Sequence, residues 1–195
     1  MKYPIPAVIF AGGKSSRMGK DKALLPFKAY PTLSEFQYYR LTELFQTVYL
    51  SSKEHKFNFS CNIIEDVYKQ SSPLVGIISV LETLKTDAVF ILSVDAPLVD
   101  KEVINMLYLT KLALDDSNAH YDAIIAQSPN GLEPLCGIYT SHILTRAKQH
   151  LEANNHKLHT LLKVSKIKLV HFDDSIPFSN LNTPEQYKAI LKRDF

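Results

Sequence analysis

The sequence predicts a three-layer α/β fold built around a mostly parallel sheet. Apolar runs of strand length alternate with longer segments whose apolar residues recur at helical spacing. The run AVFILSVD at residues 88–95 is apolar along almost its whole length, which is typical of a parallel strand covered on both faces. No repeat, low-complexity tract or linker interrupts this alternation, so residues 1–195 are expected to form one domain.

Each element has its own signal in the sequence. The first apolar run, IPAVIFA, leads into glycine, and the next long segment, LSEFQYYRLTELF, places its apolar residues largely on one helical face, with Ser34 as a candidate cap. The segment LVGIISVLETL follows a proline and predicts a buried helix, and Thr183 followed by Pro184 marks the start of a final helix. Strands are therefore predicted at residues 5–11, 47–51, 61–66, 88–95, 121–127, 134–140 and 167–172. Helices are predicted at residues 33–45, 74–84, 101–114, 142–153, 158–164 and from 183 onward.

Composition and charge exclude several classes of function. The formal charge is +2, from 22 basic and 20 acidic residues, so nothing favours a nucleic acid or a membrane surface as partner. No apolar run approaches the ~20 residues of a membrane-spanning helix, and the proline-broken N-terminus does not resemble a signal peptide. Cys61 and Cys136 lack metal-ligand or CxxC spacing and are expected to be reduced thiols. These features predict a cytoplasmic protein.

The segment FAGGKSSRMGKDK at residues 10–22 follows the first strand and has the composition of a phosphate-binding loop. A Walker P-loop requires glycine five residues before its Gly-Lys pair, where this chain has Val8, and the glycine spacing of a dinucleotide fingerprint is also missing. Gly12 and Gly13 nevertheless let backbone N–H groups approach an anion closely, and Arg17 and Lys22 add positive charge. The alternative is a glycine-rich turn with solvated cations.

Two acidic residues follow predicted strands. Asp95 ends the apolar strand 88–95, where a carboxylate is well placed to hold Mg²⁺ between triphosphate oxygens. Asp66 ends the short strand 61–66 in the same way. The alternatives are a turn aspartate at residue 95 and an exposed loop carboxylate at residue 66. His156 and His159 lack accompanying cysteines or carboxylates, so they are expected on a solvated helix surface and not at a metal site.

The stretch AGGKSSRMGKDKALLPF resembles the signature of nucleotidyltransferases with a Rossmann-like fold, most closely that of the molybdenum cofactor guanylyltransferases. The family pattern runs approximately LAGGxSxRMGxDKxLL, with Phe10 here in place of leucine. The resemblance implies that the segment from Phe10 and Ala11 to Gly13 cradles the nucleotide. It also implies that Lys22 meets the charge at the α-phosphate, that Arg17 holds the β- and γ-phosphates, and that Asp95 binds Mg²⁺. Related cytidylyltransferases carry alanine at position 12, so Gly12 favours guanine.

Two further segments resemble the same family. Asp66 precedes SSPLVGI, which is similar to the family's Gly-Pro-Leu-x-Gly segment and implies contact between Asp66 and the nucleotide, although Ser72 replaces a glycine. FSNLNTPEQY is similar to its NxNTPE motif, and this implies that Asn180 and Asn182 contact the pterin or a phosphate. An ordinary helix start explains Asn182 equally well. The family's glycine near position 30 and its strand-end asparagine are absent, with Ser51 and Ser52 at the latter place.

The resemblance implies transfer of GMP from GTP to molybdopterin, with Mg²⁺ as cofactor. It also implies transient contact with molybdenum cofactor biosynthesis proteins or with the molybdoenzymes that accept the product. Alternatives within the same chemistry are CTP as donor or a sugar-1-phosphate as acceptor. A different kind of alternative is a catalytically silent domain that senses nucleotides or binds a partner.

Overall fold

The computed structural model describes residues 2–12 and 21–193. All of its named strands belong to one sheet, in the order β3-β2-β1-β4-β6-β5-β7. The strands are β1 (Ala7–Phe10), β2 (Val48–Ser52), β3 (Asn62–Glu65), β4 (Ala88–Ser93), β5 (Ala123–Ser128), β6 (Gly131–Thr140) and β7 (Ile167–His171). The helices are α1 (Leu33–Thr42), α2 (Pro73–Leu84), α3 (Lys101–Asp116), α4 (Leu144–Glu152), α5 (Leu158–Lys163) and α6 (Pro184–Leu191). The predicted order of strands and helices is confirmed.

The sheet is mostly parallel, as predicted. β1 pairs in parallel with β2 and β4, β2 with β3, and β5 with β7. β6 runs antiparallel to both of its neighbours, β4 and β5. The sequence predicted this strand without its direction. The short β5–β6 connection explains the direction, because two residues can join antiparallel neighbours but not parallel ones.

Two apolar cores cover the two faces of the sheet and make the fold three layers deep. In β4, Phe90 and Leu92 face the core that α1 and α3 complete, whereas Val89 and Ile91 face the core formed with α2, α4 and α5. This alternation explains why the strand is apolar at nearly every position. Among the described residues, no helix combines the length and apolar character needed to cross a membrane.

The cap of α1 differs from the prediction. Thr32 caps the helix, and its hydroxyl accepts a hydrogen bond from the backbone N–H of Glu35. Ser34, the predicted cap, lies inside the helix and is completely buried. Thr183 caps α6 as predicted and forms a reciprocal capping box with Gln186.

The strand order places a binding crevice at the end of β1. Its neighbours β2 and β4 lie on opposite sides, and Phe10 pairs with Ser51 of one and Ser93 of the other. In open α/β sheets, ligands bind outside the carboxyl ends of the strands where the strand order reverses in this way. The residues that follow β1, β2 and β4 therefore meet at one crevice.

Candidate active site

Lys22, Asp95 and Asn182 form a polar cluster beyond the ends of β1 and β4. Lys22 Nζ lies 2.7 Å from Asp95 Oδ2 and donates a second hydrogen bond to Asn182 Oδ1 at 2.8 Å. The Lys22 and Asp95 side chains are only 15% and 18% exposed. Residues far apart in the sequence thus meet as an ion pair largely shielded from solvent, where electrostatic interactions are stronger than in water.

Local structure fixes each member of this cluster. Lys22 begins a 3₁₀ turn (Lys22–Leu24) capped by Asp21, whose carboxylate accepts from the N–H of Ala23 at 3.0 Å. Asp95 Oδ1 accepts a hydrogen bond of 2.6 Å from Ser93 Oγ. The carbonyl of Asp95 accepts from the N–H of Leu181 at 2.9 Å, which brings Asn182 to the site.

The donor set around Asp95 fits Mg²⁺ that arrives with a triphosphate. Mg²⁺ is usually bound by one or two carboxylates together with substrate phosphates and water, and Asp95 supplies one such carboxylate. The described residues contain no group of three or more histidines, cysteines or carboxylates that could hold a metal without a substrate. A carboxylate oxygen has further lone pairs beyond the one that Lys22 occupies.

A cavity of about 320 Å³, here called the Gly12 cavity, lies between the ends of β1, β2 and β3 and the start of α2. Among the described residues, the nearest neighbour of a Cβ atom added to Gly12 would be Ser52 Cα, at 3.9 Å, so packing against this part of the protein does not require glycine there. A Cβ added to Gly76 would approach the Phe10 ring to 2.8 Å. Gly76 is therefore needed for contact between α2 and β1, whereas Gly12 keeps the cavity open. The lining residues are Phe10, Gly12, Ser51, Ser52, Asp66, Ser71, Ser72, Pro73, Gly76, Ser93 and Leu135.

Asp66 lines the Gly12 cavity, where the resemblance placed the nucleotide. Burial raises the pKa of its carboxyl, and nearby Lys53 offsets part of that rise. The Asp66 carboxylate is half-buried and has no hydrogen-bond partner among the described residues, so it is suited to accept hydrogen bonds from hydroxyl or N–H groups of a ligand.

A second cavity, of about 510 Å³ and here called the Asp95 cavity, lies on the other side of the cluster. Asp95 and Asn180 line it, together with residues 133–136 of β6 and 156–159. Ile125 of β5 pairs with Gly137 and Ala126 pairs with Glu133, so residues 134–136 form a bulge in the β5–β6 ladder beside this cavity, although Cys136 still pairs with Leu92 of β4. Cys136 is a free thiol, as predicted, and its burial raises its pKa.

A smaller cavity of about 210 Å³, here called the Lys22 cavity, lies between the two. It is lined by Lys22 and Asp95 and also by Phe10, Ala11 and Gly12. Ser93 and Leu135 line all three cavities. The three spaces are therefore contiguous, with the charged cluster in the middle.

The structure also corrects or extends the sequence-based expectations. His156 is half-buried before α5 and not on a solvated helix surface; its Nδ1 lies 3.0 Å from Ser72 Oγ and its Nε2 3.0 Å from Asn154 Oδ1. His159 is exposed on α5, as expected. Lys56 was not foreseen, because it lies in a charged loop without a motif; its Nζ donates to the Ala11 carbonyl at 2.8 Å and to Asp21 at 2.5 Å.

The predicted site residues that the structure describes all line these cavities or belong to the cluster: Phe10, Ala11, Gly12, Lys22, Asp66, Asp95, Asn180 and Asn182. Gly13 and Arg17 lie outside the described residues.

Comparisons with known proteins agree with this geometry. The sequence profile of the MobA-like NTP transferase domain matches residues 7–170. A Campylobacter jejuni protein named molybdenum cofactor guanylyltransferase is 39% identical over 189 residues, covering 95% of each chain. A Helicobacter pylori protein of the same name is 34% identical and covers 98% of this chain and 92% of its own.

The fold is also found among solved structures. The molybdopterin-guanine dinucleotide biosynthesis protein A of Archaeoglobus fulgidus superposes with a TM-score of 0.79 over 95% of this chain and 96% of its own, at 21% identity. At that identity the likeness concerns the fold, whereas the profile match and the curated relatives concern the family. The chain belongs to the MobA-like NTP transferase family and is a nucleotidyltransferase of the molybdenum cofactor guanylyltransferase type.

Proposed function

We propose that this enzyme transfers GMP from GTP to the terminal phosphate of molybdopterin or its molybdenum-loaded form. The observation that carries the proposal is the contiguous series of cavities with Lys22 and Asp95 at the junction. Two substrates bound in the outer cavities would present their phosphates to each other at the charged cluster. The names of the relatives support the choice of substrates.

The reaction forms one bond and breaks one bond at the α-phosphorus. An oxygen of the molybdopterin phosphate attacks, the bond to the bridging oxygen breaks, and pyrophosphate leaves with the electron pair. The attacking phosphate is already anionic, so no general base is needed. Catalysis therefore consists mainly of positioning and of stabilising charge in a shielded site.

The residues of the cluster divide this work. Lys22, in the middle cavity, stabilises the charge that develops around the α-phosphate. Arg17, which lies outside the described residues, is assigned to the β- and γ-phosphates on the family resemblance alone. Asp95 would hold Mg²⁺, which neutralises charge on the triphosphate oxygens when bound. Lys22 donates a hydrogen bond to Asp95 in this structure. When the substrate binds, the ammonium group of Lys22 therefore shares its hydrogen bonds between Asp95 and the phosphate.

We assign the Gly12 cavity to the guanosine and the Asp95 cavity to the acceptor. The backbone of Ala11 to Gly13 cradles the nucleotide, and Asp66 contacts its base or ribose. Asn182 is hydrogen-bonded to Lys22 and therefore acts near the phosphates, whereas Asn180 lines the acceptor cavity. The two asparagines of one sequence motif are therefore assigned different roles.

The proposal also covers the setting of the reaction. We infer a single-domain cytoplasmic enzyme that uses Mg²⁺ and has no nucleic-acid or membrane partner. Its product passes to molybdoenzymes or to other proteins of molybdenum cofactor biosynthesis through transient contacts.

Product analysis tests the proposal directly. The purified protein is incubated with molybdopterin, Mg²⁺ and GTP, CTP or ATP, and the products are identified by mass spectrometry. We expect molybdopterin guanine dinucleotide and pyrophosphate from GTP alone, and none after chelation of the metal. A cytidine product would overturn the choice of donor, and transfer to a sugar-1-phosphate would overturn the choice of acceptor. A protein that binds none of the nucleotides in calorimetry would favour the catalytically silent domain that binds a partner.

A further inference from the structure

One face of α1 is polar although it is buried. Ser34 and Gln37 have no exposed surface, and Arg40 is partly buried. These residues are three apart and therefore lie on one face of the helix. A helix that only packed against the apolar core would not need them, because a buried polar group destabilises the fold unless it is hydrogen-bonded. Each of the three donates a hydrogen bond to a backbone carbonyl.

The first residue of this polar stripe holds the segment that carries Lys22. Ser34 Oγ donates to the carbonyl of Ala23, the residue after Lys22, at 2.7 Å in a buried position. Beside it, the N–H of Leu33 donates to the carbonyl of Leu25 at 2.7 Å. The first turn of α1 thus fixes the 3₁₀ turn from which the lysine extends.

The other two residues hold the loop that carries Asp95. Gln37 Nε2 donates to the carbonyl of Val94 at 3.2 Å, directly before the aspartate. Arg40 donates through Nη1 to the carbonyl of Val99 and through Nη2 to Gln37 Oε1. Both ends of the loop from residue 94 to 99 are therefore hydrogen-bonded to α1.

Arg40 remains charged in this position although it is partly buried. Burial lowers the pKa of its guanidinium to about 10, and nearby Asp100 offsets part of that effect. Its Nε has no hydrogen-bond partner among the described residues. Arg40 donates its hydrogen bonds to a carbonyl and an amide and forms no ion pair within 4 Å among the described residues, so it contributes little to stability against the cost of its desolvation. Its place at the end of the Asp95 loop points to a positional role.

We propose that Ser34, Gln37 and Arg40 are positioning residues that set the distance between Lys22 and Asp95. This inference rests on the proposed function of those two residues. Helix α1 hydrogen-bonds to the carbonyls of Ala23 and Val94, which lie next to Lys22 and Asp95 in the chain. A shift of either segment relative to α1 therefore changes the 2.7 Å distance between Lys22 Nζ and Asp95 Oδ2. Displacement of about 1 Å by a distant mutation can lower a rate by about 100-fold.

The sharpest variant is Gln37→Glu. It keeps the size of the side chain and the contact with Arg40 Nη2, but it removes the amide donor to the Val94 carbonyl. We expect affinity for Mn²⁺, titrated by electron paramagnetic resonance with a non-hydrolysable GTP analogue present, to fall by about 10- to 100-fold. We expect kcat to fall in the same range, with KM for GTP little changed.

Ser34→Ala distinguishes the contact of α1 with the Lys22 segment from its contacts with the Asp95 loop. Because the Ser34 hydroxyl donates its hydrogen bond to the Lys22 segment and not to the Asp95 loop, this variant should lower kcat and leave Mn²⁺ affinity unchanged. Arg40→Lys, which retains one charged donor, should fall between the wild type and Arg40→Met in both measurements.

The matched control is Thr140→Val. Thr140 is 5% exposed, and its hydroxyl donates to the carbonyl of Tyr121 at 2.9 Å, at the end of β6 that pairs with the start of β4. The control should lower Tm without changing Mn²⁺ affinity or kcat. If Gln37→Glu lowers Tm like the control and leaves both readouts unchanged, the stripe is only structural and the inference is wrong. If the wild type makes no dinucleotide, the proposed function fails, while the Mn²⁺ titration still tests the positioning.

Discussion

Lys22 and Asp95 carry opposite charges and form an ion pair that is largely shielded from solvent. We expect Lys22→Ala to lower kcat by about 10²- to 10³-fold, the usual effect of removing one preorganised charge from a transition state. The fold should persist, since Asp95 keeps its hydrogen bond from Ser93. Initial rates of pyrophosphate release, with Tm as a check on folding, measure this.

The control for Lys22 is Lys148→Ala, which removes another lysine of an ion pair, with Glu82 at 2.6 Å, on an exposed surface. Activity and stability should both be nearly unchanged, because exposed ion pairs contribute little. Full turnover by Lys22→Ala would remove the lysine from the mechanism.

A substitution at Gly12 tests whether the glycine is needed for nucleotide binding or for packing of the fold. Among the described residues, a methyl group at position 12 meets only Ser52 Cα, at 3.9 Å, so Gly12→Ala should leave the Tm of the nucleotide-free protein unchanged. It should weaken GTP binding by about tenfold or more, the usual effect of one misplaced carbon in a pocket, and weaken CTP binding less. Calorimetric titration measures both.

The comparison for Gly12 is Gly76→Ala, which should destabilise the nucleotide-free protein by about 1–3 kcal/mol, because its methyl group overlaps the Phe10 ring. Loss of Tm in Gly12→Ala would show that packing, and not the ligand, requires that glycine.

Asp66 gives a pH-dependent prediction. Its pKa in the folded protein is raised by burial, so ionisation is less favourable in the folded than in the unfolded state. The carboxylate therefore destabilises the fold above both pKa values and has no such effect below them. Asp66→Asn should stabilise the nucleotide-free protein at pH 7.5, with a gain that shrinks toward pH 4.5, while weakening GTP binding. Urea unfolding across this range measures the gain, and the exposed Asp116→Asn provides the control. A gain that grows on acidification would contradict the assignment.

At the scale of the element, α1 shows how far local signals reach. The apolar pattern of the sequence predicted this helix correctly, but the predicted cap was Ser34, whereas the cap is Thr32. A hydroxyl near a helix start can cap or point inward, and only its tertiary neighbour decides; here the neighbour is the Ala23 carbonyl.

The cap itself gives a stability prediction. Thr32→Ala should lower the free energy of unfolding by about 0.5–2 kcal/mol, because the N–H of Glu35 loses its acceptor. Thr42→Ala, at the exposed end of the same helix, should stay within about 0.5 kcal/mol of the wild type. Equal effects of the two variants in urea unfolding would rule out Thr32 as the cap.

At the scale of the whole molecule, the site joins segments near residues 22, 95 and 182 through one crevice. Binding of GTP with Mg²⁺ should therefore stabilise the whole fold, by about 2.7 kcal/mol at a ligand concentration of 100 times Kd. Thermal unfolding should show a larger rise in Tm with GTP than with CTP, and a chelator should abolish most of it. An equal rise with both nucleotides would contradict guanine selectivity.

The sequence by itself determined the order of elements, the mostly parallel sheet and the candidate residues at strand ends. These follow from apolar periodicity, from turn and cap residues and from one motif, all of which act over a few neighbouring residues. Only the tertiary structure decided that β6 is antiparallel, that Lys56 contacts Ala11 and that His156 is half-buried beside Ser72. It also decided that polar residues of α1 hydrogen-bond to the segments that carry Lys22 and Asp95. The contacts of Lys56, His156 and α1 join residues distant in the chain, and no local pattern encodes which distant carbonyl or side chain a donor will meet.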